Sequence, residues 1–148
     1  MIFRLSLCIL LTCALTGCEA PYKKKDADDR KPLKDQSHDQ TFQAFLGRLK
    51  IAVGNKDRQM LATLMASDFG YRWDTPPPGE GVFDYWDQNN LWPELAGLLR
   101  QRFVPNELYM VSPPEVVTKP GYAGYRVGMR TVGGSWKFAY FVPGETAQ

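Results

Sequence analysis

Two arginines near the C-terminal end of the chain have the spacing of an anion-binding pair. Arg126 and Arg130 lie in a stretch that alternates as a β-strand does, which places both side chains on one face about 13 Å apart. The small residues beside them are Gly124, Gly128 and Ala139. On a concave face this arrangement would form a cationic recess for a carboxylate or phosphate. On an outward face the arginines would be ordinary solvated charges, and we favour that interpretation.

A second group of chemistry-bearing side chains surrounds a proline-rich loop. Arg72, Trp73 and Asp74 end a predicted short strand, and Asp84 and Tyr85 open a predicted helix. Asp74 or Asp84 could act as a general base only if burial raised its pKa towards neutrality. Four aromatic side chains could stack on a small apolar or anionic ligand, but we favour core packing with polar tips bonded at the rim: Trp73, Tyr85, Trp86 and Trp92.

Several classes of chemistry lack the residues they need. The single histidine, His38, precedes the predicted fold, and the last of three cysteines is Cys18. The domain therefore offers no Ser-His-Asp or Cys-His nucleophile, and we predict no catalytic residue, metal or cofactor. Residues 41–148 carry eleven basic and ten acidic side chains. Because nucleic-acid binders usually have a basic excess, we predict that no nucleic acid binds.

The N-terminal sequence has the pattern of an export leader. Arg4 gives a positively charged start, and residues 5–15 are apolar except for Ser6 and Thr12. A helix that crosses a bilayer needs about 20 apolar residues, so this run is too short to span and is typical of a signal-peptide core. Cys18 lies just beyond this run. One interpretation is that it is an incidental cysteine after a plain secretory signal.

The leader ends in Leu15-Thr16-Gly17-Cys18, which resembles the lipobox of bacterial lipoproteins. The resemblance implies cleavage after residue 17 and attachment of Cys18 to membrane lipid through a diacylglyceryl group with palmitate-type chains. Two or more acyl chains give a stable anchor where one is marginal. Glu19 in place of aspartate implies the outer membrane if the organism has two membranes.

The chain divides into three parts: a signal peptide over residues 1–17, a lipidated cysteine with a flexible linker over residues 18–39, and a domain over residues 40–148. The linker is rich in Lys, Asp, Pro and Gln and poor in apolar residues, which disfavours folding. Lys23-Lys24-Lys25 could contact anionic lipid. We favour a solvated segment, because acidic residues follow at once.

The domain sequence predicts helices followed by strands. Helical periodicity covers residues 42–53, 57–67, and 82–86 with a continuation over 90–103. Strands are predicted at 69–73 and 108–111, with a short strand extension over 115–118, and a hairpin is predicted over 122–132 and 136–142 around Gly133-Gly134. Alternation on the hairpin predicts one set of core side chains: Tyr125, Val127, Met129, Phe138 and Tyr140.

This order predicts an α+β domain in two layers, with three N-terminal helices packed on a curved antiparallel sheet. It resembles the NTF2-like (SnoaL-like) cone fold in its starting helix followed by Asn55-Lys56-Asp57-Arg58, in Ala66-Ser67-Asp68-Phe69 entering a strand, and in Trp136-Lys137-Phe138 on the last strand. The resemblance implies a pocket between sheet and helices. It assigns no catalytic residue, because functions on this fold differ widely.

The leading functional hypothesis is a membrane-anchored envelope lipoprotein whose non-catalytic domain binds an envelope protein or a small apolar or anionic ligand. The first alternative is a small-molecule enzyme or carrier of the NTF2-like type. A pocket with a buried acidic residue would favour it, and a pocket filled by Trp and Phe would count against it. The second alternative is a structural subunit of an envelope assembly.

Overall fold

The computed structural model describes residues 32–144, so the predicted signal peptide, Cys18 and the first part of the predicted linker lie outside the described residues. The elements are α1 (Gln40–Gly54), α2 (Arg58–Leu64), β1 (Met65–Gly70), α3 (Val82–Gln88), α4 (Trp92–Arg100), β2 (Val104–Asn106), β3 (Tyr109–Ser112), α5 (Glu115–Thr118), β4 (Arg126–Val132) and β5 (Ser135–Val142). Helices and a five-stranded sheet together confirm the predicted α+β class.

The first two helices begin at aspartate caps. The Asp39 carboxylate accepts the Phe42 amide at 2.9 Å, and Asp57 accepts the Met60 amide at 2.9 Å. Each cap satisfies a backbone donor that has no partner within its own helix. The apolar positions predicted on α1 are buried in the core: Phe42, Phe45, Leu46, Leu49, Ala52 and Val53. The first helix was therefore predicted correctly, including its end at Gly54.

The third predicted helix is two helices. α3 ends at Gln88, and α4 starts at Trp92 after a turn in which Asn90 has a positive φ of 51°. Asn90, the predicted cap, is thus part of the break, and Leu91 occupies the cap position. Pro93 lies in the first turn of α4 as expected, because its missing N–H needs no partner there.

The sheet has the strand order β1-β5-β4-β3-β2 and is mixed. β1 runs parallel to β5, with Met65 opposite Phe138 and Gly70 opposite Tyr140, while the other neighbours are antiparallel. The prediction of a purely antiparallel sheet was wrong for β1. The strand also starts four residues earlier than predicted and ends before Tyr71, because pairing with β5 overrides the helix propensity of Met65 and Ala66.

Two short elements near β3 differ from the predictions. Residues 115–118, predicted as a strand extension, form α5, in which the Val116 and Val117 amides bond back to the Pro113 and Pro114 carbonyls. Pro114 occupies the cap of this turn, a place where its missing N–H costs nothing. β2 was not predicted; it contains Pro105 and lies at the sheet edge, where a ladder tolerates proline.

The hairpin of β4 and β5 contains a bulge that changes which side chains reach the core. Gly133 and Gly134 both have positive φ in the predicted turn. Met129 pairs with Phe138, but Gly128 pairs with Tyr140, so Ala139 is an extra residue in β5. As a result Phe141, and not the predicted Tyr140, joins the core with Phe138.

Helices cover one face of the sheet, with α1 and α2 on β5 and α4 on β4. The opposite face carries alternate residues of β4, which are Arg126, Gly128 and Arg130. Residues 32–39, the last part of the predicted linker, lie along the domain: the Leu33 amide donates to the Glu107 carbonyl at 2.7 Å, and the Leu33 side chain packs against the core.

Candidate functional site

Arg72 is the centre of a polar cluster in the loop after β1, which we call the Arg72 cluster. Its guanidinium donates to both carboxylate oxygens of Asp74, at 2.8 and 2.7 Å, and to Glu80 at 2.6 Å. The Tyr71 hydroxyl donates to the same Glu80 carboxylate at 3.3 Å. The Arg72 side chain is 20% exposed and Glu80 15%, so this pair is largely withdrawn from water.

The electrostatics of the cluster hold its charges in place. Hydrogen bonds from Arg72 lower the pKa of Asp74, whose side chain is exposed, and hydrogen bonds to Asp74 and Glu80 raise the pKa of Arg72. Burial and the neighbouring Glu80 charge raise the pKa of Tyr71. A general base would need a raised carboxylate pKa. Asp74 shows the opposite shift, so the arrangement suits a structural ion pair.

Aromatic rings support this cluster from the helix side. The Arg72 guanidinium lies 5.2 Å from the centre of the Tyr85 ring, and Tyr71 packs on Tyr85 with ring centres 5.4 Å apart. A cation over an aromatic face is attracted by the ring quadrupole. The structure therefore brings together three of the predicted site residues: Arg72, Asp74 and Tyr85.

Trp73 lies on the rim of the same loop and points outward. Its side chain is 59% exposed, so the favoured prediction of core packing was wrong for this residue. Its indole N–H donates to the Pro143 carbonyl at 2.8 Å, which ties the loop to the chain after β5. Residues 75–79, which include three consecutive prolines, are exposed beside it. The ring is thus presented to solvent in a fixed orientation.

Asp84 belongs to a different cluster, at the contact of α2 with α3. It accepts from Arg58 at 3.0 Å, and Arg58 also pairs with Asp87. The Asp87 carboxylate accepts the Trp92 indole N–H at 2.7 Å, a bond that lowers its pKa together with the bond from Arg58. The side chains of Arg58, Asp84 and Asp87 are all exposed. Asp84 therefore joins α3 to α2 and lies outside the Arg72 cluster.

The two arginines of β4 share a face, as predicted, but the recess between them is filled. The Tyr140 ring lies across Gly128 so closely that a Cβ on this glycine would overlap it. Arg130 donates to both oxygens of Asp68 at 2.7 and 2.8 Å, whereas Arg126 donates to the Tyr122 carbonyl at 3.1 Å. The bulge in β5 places Tyr140 here, and burial raises its pKa to about 12.

The interior between helices and sheet is occupied by aromatic rings. Trp86, Phe138 and Phe141 are fully buried, and Trp92 nearly so, which confirms core packing for two of the predicted tryptophans. The predicted bonding of their polar tips holds for Trp92, whose N–H donates to Asp87, but was wrong for Trp86, whose N–H is buried with no partner in residues 32–144. Trp86 makes edge-to-face contacts with the rings of Phe69, Phe83, Trp92 and Phe141, with centres 5.1 to 6.0 Å apart. The place where the NTF2-like resemblance implies a pocket is filled by Trp and Phe side chains.

No protein family, characterised protein or solved structure that was compared with the chain matches it.

No helix in residues 32–144 is both long and apolar enough to cross a bilayer. Within the same residues, His, Cys, Asp and Glu form no group of three or more that could hold a metal ion.

Sequence reasoning missed five residues that complete these clusters: Tyr71 and Glu80 beside Arg72, Arg58 and Asp87 beside Asp84, and Asp68 beside Arg130. Glu80 reaches Arg72 only because the intervening loop folds back, and Asp68 reaches Arg130 only because β1 lies beside β5. The one available sequence signal was Gly79-Glu80-Gly81 after the prolines, where a positive φ of 82° at Gly79 turns the chain. The contact of Asp68 with Arg130 across the sheet has no signal in the local sequence of either residue.

Proposed function

We propose that the protein is a lipid-anchored envelope lipoprotein whose domain binds a partner protein without catalysis. The Leu15-Thr16-Gly17-Cys18 sequence supports the anchor, because it follows a charged start and an apolar run of signal-peptide length. Cys18 would hold the chain on the membrane, and the linker would carry the domain away from the bilayer. The outer membrane is the proposed location in an organism with two membranes.

The observation that carries the binding proposal is the exposure of Trp73. A tryptophan that is 59% exposed yet fixed by a hydrogen bond loses little side-chain entropy on binding. Tryptophan is also among the residue types enriched in the side chains that dominate binding energy at protein interfaces. The exposed prolines of residues 76–78 extend the stiff surface around it. We propose this rim as the contact surface.

Two further observations favour binding over an enzyme or small-molecule carrier. The carboxylates weighed as general bases, Asp74 and Asp84, are exposed and ion-paired with Arg72 and Arg58. The interior is filled by Trp86 and its neighbouring rings. The aspartates thus form ion pairs that stabilise the domain, and the aromatic rings fill its interior. The outer surface is the part that remains for recognition.

We also propose that the domain is a shortened NTF2-like fold. The order of two helices, a strand, further helices and an antiparallel hairpin supports this, as does the packing of α1 and α4 on one face of the sheet. The proposal adds no catalytic residue. In this layout the aromatic core takes the volume that other members of such a fold would use for a pocket.

The anchor is tested by Cys18→Ala. We expect the wild-type chain to sediment with membranes and to carry acyl chains on its N-terminal cysteine by mass spectrometry. The variant should lose at least nine-tenths of its membrane association, because it lacks the acyl chains that anchor the wild-type chain. Each CH₂ buried in the bilayer contributes about 0.8 kcal/mol to that anchor. A variant that stays in the membrane fraction, or an unmodified wild-type terminus, would refute the anchor.

The binding surface is tested by photo-crosslinking in intact cells. A photoreactive amino acid at position 73 should give one defined crosslinked product, identified by mass spectrometry. Ile51 is the matched control, because it is also 59% exposed but lies on α1, away from the rim. Equal crosslinking from both positions would contradict a specific surface.

Asp74→Asn and Asp84→Asn should leave the cellular phenotype intact, and its loss in either variant would favour the enzyme hypothesis.

A further inference from the structure

Arg126 is the arginine of β4 that lacks a direct acidic partner within the described residues. Its guanidinium makes one hydrogen bond, to the Tyr122 carbonyl, and its Nε–H is buried with no partner in residues 32–144. Over the same residues no carboxylate lies within 4.0 Å of it, whereas Arg58, Arg72 and Arg130 all have acidic partners. A cation partly withdrawn from water without a direct counter-ion is destabilising, so an anion bound beside this guanidinium would be favourable.

Arg126 also lines a cleft of about 390 Å³ between α5 and the start of β4. Lys119 contributes a second cation to its wall, and the remaining lining is mainly apolar, from Val116, Val117, Pro120 and Tyr122. Val117 is among the few large apolar side chains left exposed in the described residues. The cleft thus combines two positive charges with apolar walls, in a volume that fits a small ligand.

We propose that this cleft binds a carboxylate attached to a small apolar group. The planar carboxylate suits a guanidinium, whose remaining N–H groups can donate to both oxygens. The apolar part would lie on Val116 and Val117. Such a group could come from a free aliphatic acid or from the C-terminal residue of another polypeptide, and both have the same recognition chemistry. The site is separate from the Trp73 rim and does not depend on the proposed function.

Arg130 provides an internal comparison for this assignment. It lies on the same strand and face, four residues away, but Asp68 already occupies its guanidinium with two hydrogen bonds. Tyr140 separates the two arginines, so a ligand in the cleft cannot reach Arg130 through the sheet face. An anion that binds through general positive charge would use both arginines, whereas the proposed site uses only Arg126.

The test is calorimetric titration of the full chain with sodium butyrate, with butyramide as the uncharged control. A dipeptide, N-acetyl-Ala-Val, in its free-acid and amide forms identifies the polypeptide source, and inorganic phosphate identifies a general anion site. We expect saturable binding of butyrate or the dipeptide acid, and none of the amides. Arg126→Gln should weaken it about tenfold or more, as expected for a lost charged hydrogen bond. The matched Arg130→Gln should change it less than twofold.

An NMR measurement on the wild-type chain makes the test independent of variant folding. The Arg126 Nε–H resonance, assigned through its bonds along the Arg126 side chain, should shift on addition of butyrate and stay unchanged with butyramide. Three results would overturn the proposal: no shift and no saturable heat with either carboxylate, tighter binding of phosphate than of both carboxylates, or equal weakening by Arg126→Gln and Arg130→Gln. Binding of the dipeptide acid alone would assign the site to a polypeptide terminus.

Discussion

Trp86→Ala is expected to lower the free energy of unfolding by about 3 to 5 kcal/mol, because it empties the centre of the aromatic core. The indole is fully buried and touches rings from β1, α3, α4 and β5, so its removal leaves a cavity that no single neighbour can fill. Urea unfolding followed by far-UV circular dichroism measures the change. A loss of this size is a large fraction of the stability of most domains.

Trp73→Ala is the matched control, since it removes the same side chain from an exposed position. We expect a loss of no more than about 1 kcal/mol, mainly from the hydrogen bond to the Pro143 carbonyl. Trp86→Phe keeps an aromatic ring but removes the indole N–H, so it tests the N–H separately from the packing of the ring. The indole N–H of Trp86 is buried and has no partner in the described residues, so its loss removes an unfavourable group. Equal losses from Trp86→Ala and Trp73→Ala would show that the core is arranged differently.

Raising the pH from 10 to above 12 is expected to cost about 2 to 3 kcal/mol of stability through Tyr140 alone. Burial raises its pKa from the ordinary value of 10.0 to about 12, so the folded state holds the phenolic proton more tightly than the unfolded state. The contribution is fully present below pH 10 and is lost as the pH rises through 12. Unfolding free energies at several alkaline pH values measure the slope.

Tyr140→Phe isolates this effect, because other tyrosines also titrate at alkaline pH. Burial raises the pKa of Tyr71, Tyr122 and Tyr125 in the same direction, and these contributions remain in the variant. The difference between the two proteins should therefore be constant below pH 10 and should change by about 2 to 3 kcal/mol above it. A difference that stays flat to pH 12 would mean that the Tyr140 hydroxyl is solvated.

Local patterns were enough to predict α1, the apolar face of α4 and the turn of the hairpin. The six apolar positions of α1, the leucines of α4 and the Gly133-Gly134 turn each follow from periodicity or turn chemistry within a few residues. In each case the local preference and the tertiary packing agree. The α+β class followed from these elements, because helices of this kind must cover a sheet face.

The failures of prediction come from pairing and registration between distant segments. β1 starts at Met65 because β5 supplies its partner, which no local pattern encodes. The bulge at Ala139 shifts the alternation of β5 by one residue, so Phe141 faces the core and Tyr140 faces Gly128. Residues 115–118 include three β-branched side chains, which favour a strand. The two prolines that precede them favour a helical turn instead.

The candidate site residues also divide into those that local sequence places correctly and those whose contacts depend on distant segments. Arg72, Asp74 and Tyr85 were predicted as candidates and lie together, since a short loop and one helix turn separate them. Asp84 precedes Tyr85 directly, yet it points to α2, because successive side chains on a helix face different directions. The Arg126 and Arg130 pair shares a face, but the partner of Arg130, Asp68, comes from β1, 62 residues away in the chain.

The parallel pairing of β1 with β5 has a consequence for biosynthesis. A ribosome delivers the chain from its N-terminus, so β1 and the helices around it emerge long before the strand that completes the core with Phe138 and Phe141. Until the chain up to residue 142 can pair, the sides of α1 and α2 that pack on β5 stay uncovered. Chaperones that hold nascent polypeptides are therefore expected to govern how much of this protein accumulates in the cell.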